Sequence, residues 1–449
     1  MALLLLASSL LGFNAFAQLT VYVVRHGQTD WNKGADDMEG GETLESQSRR
    51  AEAALKTIRE NHKDGGTVVI VGHGGMNPLL VSHLIGVPPQ EGAGAINQGN
   101  DEVYRIELPK SGAAAIWKLI LNRYTIDWKS GALTRLQTIF LHDPDKKVLF
   151  RIVHEGTPKR YLAGSDFDTE SFQFAGGARW IGDELGPWLI KADMTGKVLA
   201  VFETEVDGKP ARSPDHPAIT TPAAPNLAPD FTVRRSRGYE GMAASKDGSK
   251  LYALLEGAMW DATTKDTEKI DGREHLRILE FDVVGQRWTG RHWKYMLEAN
   301  GLAIGDFNMI DETTALVIER DNGEGTPDKA CSSVGGVIQR ATNCFHDLPK
   351  IKRVYKIEMS QADVNSAVRK VGYIDLLAIN DPDNLERKPK IGGKLSFPFF
   401  TIENVDIVDA QHIIVGNDNN LPFSSSREPN KADDNEFVLL RVPQLLKAK

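Results

Sequence analysis

A four-unit repeat, weak in identity but regular in grammar, runs from Asp168 to Asp418. Asp168-Thr169-Glu170-Ser171 precedes Trp180-Ile181-Gly182-Asp183-Glu184, and Tyr239-Glu240-Gly241-Met242 precedes Leu251 to Glu256. Ile304-Gly305-Asp306-Phe307 precedes Ala315 to Glu319, and Ile402-Glu403-Asn404-Val405 precedes Ile413 to Asp418. Each unit sets an acid at the start of one strand, turns, and ends a second strand on another acid. Helical periodicity almost vanishes after Arg123, and short strands with Asp, Gly and Asn turns take over. Recurring multi-strand units of this kind bury their faces by stacking on one another, which predicts a β-propeller of about five to six blades with a shortened first blade. A β-sandwich with acids placed by chance is the alternative. The Pro-rich run Ser213 to Pro229 reads as a long inter-strand loop, because β grammar continues on both sides of it.

The chain before Arg123 is built differently. Leu19 to Val24 and Thr67 to Val71 are unbroken apolar runs, as expected of buried parallel strands. Glu45 to Asn61 reads as a helix with Leu55 and Ile58 on one face, and Asn77 to Ile85 as a second, with Pro78 in its first turn. Val103 to Leu108, a turn at Pro109-Lys110-Ser111-Gly112, and Ala114 to Leu121 read as a closing hairpin. The expected organisation is a small α/β segment over 18–122 followed by an all-β domain over 124–449.

Residues 1–17 carry a short apolar run and the small-x-small pattern Ala15-Phe16-Ala17, which reads as a signal peptide and places the mature chain in a periplasm or outside the cell; a buried N-terminal strand extension or an uncleaved anchor is the alternative. No later run approaches the roughly 18 apolar residues of a membrane span. A net charge of −8 argues against nucleic acid as a partner, since phosphate-backbone contacts need a dense basic surface. Cys331 and Cys344 would form one local disulfide in an oxidising compartment; two unrelated thiols are the alternative.

Two histidine motifs close the two apolar runs, Arg25-His26-Gly27 and Gly72-His73-Gly74. Ligands of open α/β sheets collect at such C-terminal strand ends. A neutral imidazole can attack phosphorus and form a phosphohistidine. Arg25 offers a planar fork to phosphate oxygens, His73 a second imidazole, and Gly27 and Gly74 let backbone amides approach an anion. Val23-Val24-Arg25-His26-Gly27-Gln28-Thr29-Asp30-Trp31-Asn32, with Val69-Ile70-Val71-Gly72-His73-Gly74-Gly75, resembles the histidine phosphatase superfamily in its phosphoglycerate-mutase-like branch. The resemblance implies His26 as the phosphorylated nucleophile, Arg25 and His73 as phosphate ligands, Asn32 as an additional contact, and no metal. It also shows a departure. The long insert that normally carries a second phosphate-binding Arg and the acid for the leaving group is replaced here by Lys33 to Leu44.

In the second half, strand-end acids repeated around a propeller converge near one mouth of its axis, where carboxylates repel one another unless they bind a cation or keep protons. Hard oxygen donors in this number suit Ca²⁺. The expected ligands are Glu170, Asp183, Glu240, Asp306, Glu319 and Glu403, with solvated turn acids paired to residues such as Arg237 and Arg320 as the alternative. Gly164 to Ser171, Trp180 to Pro187, Gly238 to Ala243, Ile318 to Asn322 and Lys352 to Tyr355 resemble, in order, the phytase-like family described by esterase-like activity. That resemblance runs from near Tyr124 to near Val442. It implies a β-propeller, hydrolysis of phosphate or carboxylate esters in an exported setting, and metal-assisted attack by water, with Arg320 and Arg237 orienting phosphate.

The sequence therefore predicts an exported phosphoric-ester hydrolase acting on a small phosphorylated or ester substrate, by phosphohistidine chemistry at His26, by metal-assisted hydrolysis at the propeller mouth, or both. The alternative is a non-catalytic, calcium-stabilised binding propeller with a degenerate phosphatase segment. No Gly-x-Ser-x-Gly elbow supports a serine esterase.

Overall fold

Four antiparallel sheets carry the four repeats. The computed structural model describes residues 5–6, 19–25, 44–61, 66–72, 77–85, 103–108 and 118–449, less 221, 224–226, 228, 335–336, 339–342, 361, 363 and 421–423. The first blade comprises Thr169–Ala175, Ala178–Asp183, Trp188–Ala192 and Val198–Glu203. The second is built on Tyr239–Ala244, Lys250–Leu255, Arg273–Asp282 and Arg287–Met296. Ala303–Met309, Thr314–Arg320, Lys352–Glu358 and Arg369–Asp375 make the third. The fourth has Thr401–Ile407, His412–Asp418 and Phe437–Arg441. The inner strand of each blade lies beside that of the next, from first to fourth.

A sheet buried on both faces needs apolar residues on both, and the second strands show it. Ala178–Asp183 is buried along its whole length, and Thr314–Arg320 is buried at every position but the first. The cores accordingly lie between blades. Trp180, Met242 and Phe281 fill the space between the first and second. Trp293, Tyr295, Phe307 and Tyr355 fill the next space, and Ile318, Val354, Phe399 and Val405 the one after it. Each such side chain contributes about 1.5–3 kcal/mol on burial.

The blade count differs from the expected five to six: among the described residues, four blades form the propeller. Ile120–Ile126 and Leu133–Phe140, which open the β half, make a hairpin whose second strand is exposed over most of its length. Only its base, at Leu121, Ile139 and Leu141, packs into the core of the first blade. A strand pair with one apolar end and a solvated tip has too little to bury to serve as a blade. Cys331 and Cys344 are joined as a disulfide.

The chain divides into two units, Ser9–Trp117 and Lys118–Lys449 with Met1–Ser8. In the smaller unit Leu19–Arg25 is the central strand, parallel to Gly66–Gly72 and antiparallel to Val103–Leu108. The helices Leu44–Asn61 and Asn77–Ile85 stand where expected, with Ala51 and Leu55 of one and Leu79, Leu80 and Val81 of the other buried. Ser48 Oγ and His83 Nε2 link them at 2.9 Å. The expected closing hairpin is corrected. Val103–Leu108 takes the free edge of Leu19–Val24, whereas the strand beginning at Ile120 pairs with Leu133–Phe140 in the larger unit.

Candidate active site at the propeller mouth

Every inner strand carries a bulge at the same place. Pairing with the second strand slips between Thr169 and Ser171, between Tyr239 and Gly241, between Ile304 and Phe307, and between Ile402 and Asn404. A bulge inserts one extra residue and re-aims its side chain. The extra residues are Glu170, Glu240 and Glu403 in three blades. In the third blade the slip falls on Gly305-Asp306, and a side-chain carbon on Gly305 would lie 1.8 Å from the Ile402 carbonyl oxygen. The second strands supply the next tier at their ends: Glu184, Glu256 and Asp418, with Arg320 in the third blade where the others place an acid.

These side chains meet in a cavity of about 670 Å³ at the mouth. Arg320 Nη2 lies 3.3 Å from Glu403 Oε1, 3.6 Å from Glu256 Oε1 and 3.9 Å from Glu240 Oε1. Arg320 Nη1 donates to Asn322 Oδ1 at 3.0 Å, and Arg237 Nη1 pairs with Glu256 Oε2. Asp168, Glu170 and Glu184 bring one carboxylate oxygen each within 4.8 Å of one another, as do Glu184, Glu240 and Glu256.

Burial, with crowding second to it, raises the proton affinity of Glu170, Glu184 and Glu240. Burial, followed by repulsion from Glu256 and Asp168, pushes Glu184 up to about 8. Burial holds Glu403 at about 7, with Arg320 opposing and Asp418 adding to the rise. Glu170 and Glu240 are raised well above the usual carboxylate range, by loss of water around the carboxylate first and by other ring carboxylates second; Glu240 is buried, and Glu170 is exposed at the mouth. A donor set of carboxylate oxygens that repel one another fits a hard cation such as Ca²⁺.

Two further groups shape the mouth. Lys352, fully buried, donates to the carbonyl oxygens of Asp321 at 2.6 Å and Phe400 at 3.0 Å. It thereby ties the residue after Arg320 to the strand that carries Glu403, and burial pulls its ammonium down to about 7. Below the ring, Gln173 Nε2 of the first blade donates across the axis to Asn308 Oδ1 of the third at 2.6 Å, and Asn308 Nδ2 donates to the Val405 carbonyl of the fourth at 2.7 Å.

A family model described as "Esterase-like activity of phytase" matches residues 107–421, more than half of the chain. The chain belongs to this phytase-like family. A second model, "Histidine phosphatase superfamily (branch 1)", matches residues 33–118, a range that holds His73 and Gly74 and begins after Arg25, His26, Gly27 and Asn32. An uncharacterized secreted protein of Arthroderma benhamiae is 30% identical over 117 residues, covering 24% of this chain and 22% of that protein. The chain thus spans about a fifth of the length of the curated relative it matches. A solved protein of Lactobacillus plantarum aligns with 76% of this chain and 68% of its own at 10% identity and a TM-score of 0.30. PorZ, a surface component of the type-IX secretion system of Porphyromonas gingivalis, aligns with 71% of this chain and 35% of its own at 11% identity and a TM-score of 0.26.

In this phytase-like propeller, Glu170, Glu240 and Glu403 come together with Arg320. Three other acids named as ligands from the sequence stand elsewhere, with their oxygens taken by protein donors. Asp183 accepts the backbone N–H groups of Asp168 and Gly186, and burial holds it at about 7. Asp306 accepts from Phe307 N and Val405 N. Glu319 accepts from Tyr295 Oη, Glu298 N and Lys370 Nζ. They fasten turns and neighbouring blades. Arg25 ends its strand level with Gly72, its register partner, so the two histidine motifs begin at one edge of the sheet. His26, Gly27, Asn32, His73 and Gly74 lie outside the described residues. Sequence reasoning missed the cross-axis amides Gln173 and Asn308 and the clamp at Lys352, which carry no motif of their own.

Proposed function

We propose that this phytase-like chain is an exported hydrolase of phosphoric esters that works at the acid-ringed mouth. The observation that carries the reading is the set of bulges that aims Glu170, Glu240 and Glu403, from three blades, at one cavity beside Arg320. Asp168, Glu170, Glu184, Glu240 and Glu256 would hold calcium. Bound there, calcium would offset the charge of an anionic ester and activate water. Arg320 and Arg237 then orient phosphate oxygens through their planar forks. Glu403 sits on Arg320 outside the two acid triads, and holds its proton to about 7, which suits it to protonate the leaving alcohol oxygen. Export is supported by the secreted relative, and among the described residues no helix is long and apolar enough to cross a membrane.

Phosphohistidine chemistry at His26, with Arg25 and His73, is the second reading, favoured by the level strand ends at Arg25 and Gly72. One assay separates the two: turnover of 4-nitrophenyl phosphate and phytate by wild type, His26→Ala and Glu240→Gln, with and without chelator. Loss on chelation and in Glu240→Gln, with His26→Ala active, is the expected result. The reverse pattern assigns the chemistry to His26. Absence of turnover on these substrates and on short acyl esters tested alongside them favours the non-catalytic alternative, a calcium-stabilised binding propeller.

A further inference from the structure

The seam between the first and fourth blades is a slot that continues from the mouth. Glu170 and Glu403 line the mouth, and the same two residues line a cavity of about 380 Å³ between the first blade's inner strand and the fourth blade. That volume is in the range of small-molecule sites. Beyond the mouth Asp306 and Asp406 join the lining, so four acids border one slot whose surface is more polar than apolar. No Lys, Arg or His stands among the described residues that line it.

Some polar groups of the slot are engaged within the protein. Gln173 donates to Met242 O at 2.8 Å and to Asn308 Oδ1, Asn308 donates to Val405 O, and Asp306 accepts from Val405 N at 2.8 Å. Two others keep capacity. Asp406 uses Oδ1 to accept the Ile407 N–H at 2.7 Å, which leaves its second carboxylate oxygen outside that bond. Ser171, 6% exposed, has its Oγ buried without a hydrogen-bond partner. What the slot offers a ligand is therefore acceptor oxygen and negative charge. Burial raises Asp406 against the opposing Ile407 N–H and Lys246, and it holds Asp306 at about 7. Lys246 lies outside the lining, with its ammonium donating to Met309 O at 3.2 Å. A positive charge in the slot favours the ionised form of both carboxyls, whereas a neutral occupant does nothing for them.

We infer that the slot receives an ammonium group carried on the alcohol portion of an ester whose phosphate occupies the mouth. This rests on the reading of the mouth as the ester site. Asp406 and Ser171 accept the ammonium N–H groups, and the phenyl rings of Phe172 and Phe437, which also line the slot, attract a cation through their faces. The substrate class is an aminoalkyl phosphoric monoester, zwitterionic rather than uniformly anionic.

Calorimetric titration of the full chain, in calcium, with 2-aminoethyl, 2-hydroxyethyl and propyl phosphate reads the slot directly, because the three esters match in size and differ in charge and polarity. The amine is expected to bind about tenfold or more tightly than either neutral ester. Asp406→Asn is expected to bring that preference close to unity and Ser171→Ala to reduce it by about fivefold, while methyl phosphate binds both variants as it binds wild type. Equal affinity of the three esters in wild type, or a preference for the amine undiminished in both variants, overturns the inference. Ethanolamine, the amine without the phosphate, separates the two ideas. If the mouth is not a phosphate site, methyl phosphate gives no heat, while ethanolamine still binds and is weakened by Asp406→Asn. If the slot is not a cation site, methyl phosphate binds and ethanolamine does not.

Discussion

Arg320 Nη2, on the third blade, stands 3.3 Å from Glu403 Oε1 on the fourth. The same nitrogen faces Glu256 and Glu240 of the second blade at 3.6 and 3.9 Å, with the guanidinium almost wholly buried. Removing one partner of a buried ion pair leaves an uncompensated charge. Arg320→Met is therefore expected to lose about 3–5 kcal/mol in urea unfolding with chelator present. A loss below about 1 kcal/mol would show that the ring does not depend on this cation.

The ring also sets a pH dependence. Burial and neighbouring carboxylates raise Glu184 to about 8, and burial raises Glu403 to about 7 against the opposing pull of Arg320. A carboxyl raised in the folded protein binds its proton more tightly there than in the unfolded chain. Its stabilisation is fully present below the ordinary carboxylate range and is lost as pH rises through the folded value. In chelator, the thermal midpoint is expected to fall between about pH 5 and pH 8, and added calcium to restore more at the upper end. A midpoint that climbs across this interval contradicts the arrangement.

Gln173 and Asn308 close the axis beneath the mouth with a bond of 2.6 Å. Gln173→Leu removes one amide and leaves Asn308 Oδ1 and Met242 O without that donor. The expected loss is about 1–3 kcal/mol, read from equilibrium unfolding. A variant as stable as wild type would mean that water replaces the amide at no cost.

Gly305 tolerates no side chain at the third blade's bulge, where a Cβ would collide with the Ile402 carbonyl oxygen. The obstacle is backbone rather than a flexible side chain, so the inner strands of the third and fourth blades must separate to admit it. Gly305→Ala is expected to destabilise by about 1–3 kcal/mol or more. Differential scanning calorimetry checks this, with unchanged stability as the contrary result.

The propeller was legible because its units repeat an acid, a turn and a second strand that is apolar until its last residues; Leu251 to Glu256 and Ile413 to Asp418 announce themselves this way. The blade count was not. Ile120–Ile126 and Leu133–Phe140 have strand composition, and only burial distinguishes a blade from a projecting hairpin. The mouth was half legible for a related reason. Glu170 and Asp183, or Glu403 and Asp306, look alike in sequence as acids at strand ends. A one-residue register slip sends Glu170 and Glu403 to the cavity, while backbone N–H groups claim Asp183 and Asp306. Register belongs to the pairing of two strands, and neither strand states it alone. The cross-axis amides were invisible because Gln173 and Asn308 lie 135 residues apart and each is unremarkable in its own strand.

The third blade replaces an acid with Arg320 and a bulge glutamate with the Gly305-Asp306 pair, so one quadrant of the ring carries the opposite sign. A chain with that built-in counter-charge can close its ring before any ion arrives. On the proposed reading, folding and ion loading would be separate events in time, the first governed by the polypeptide and the second by whatever the surrounding medium contains.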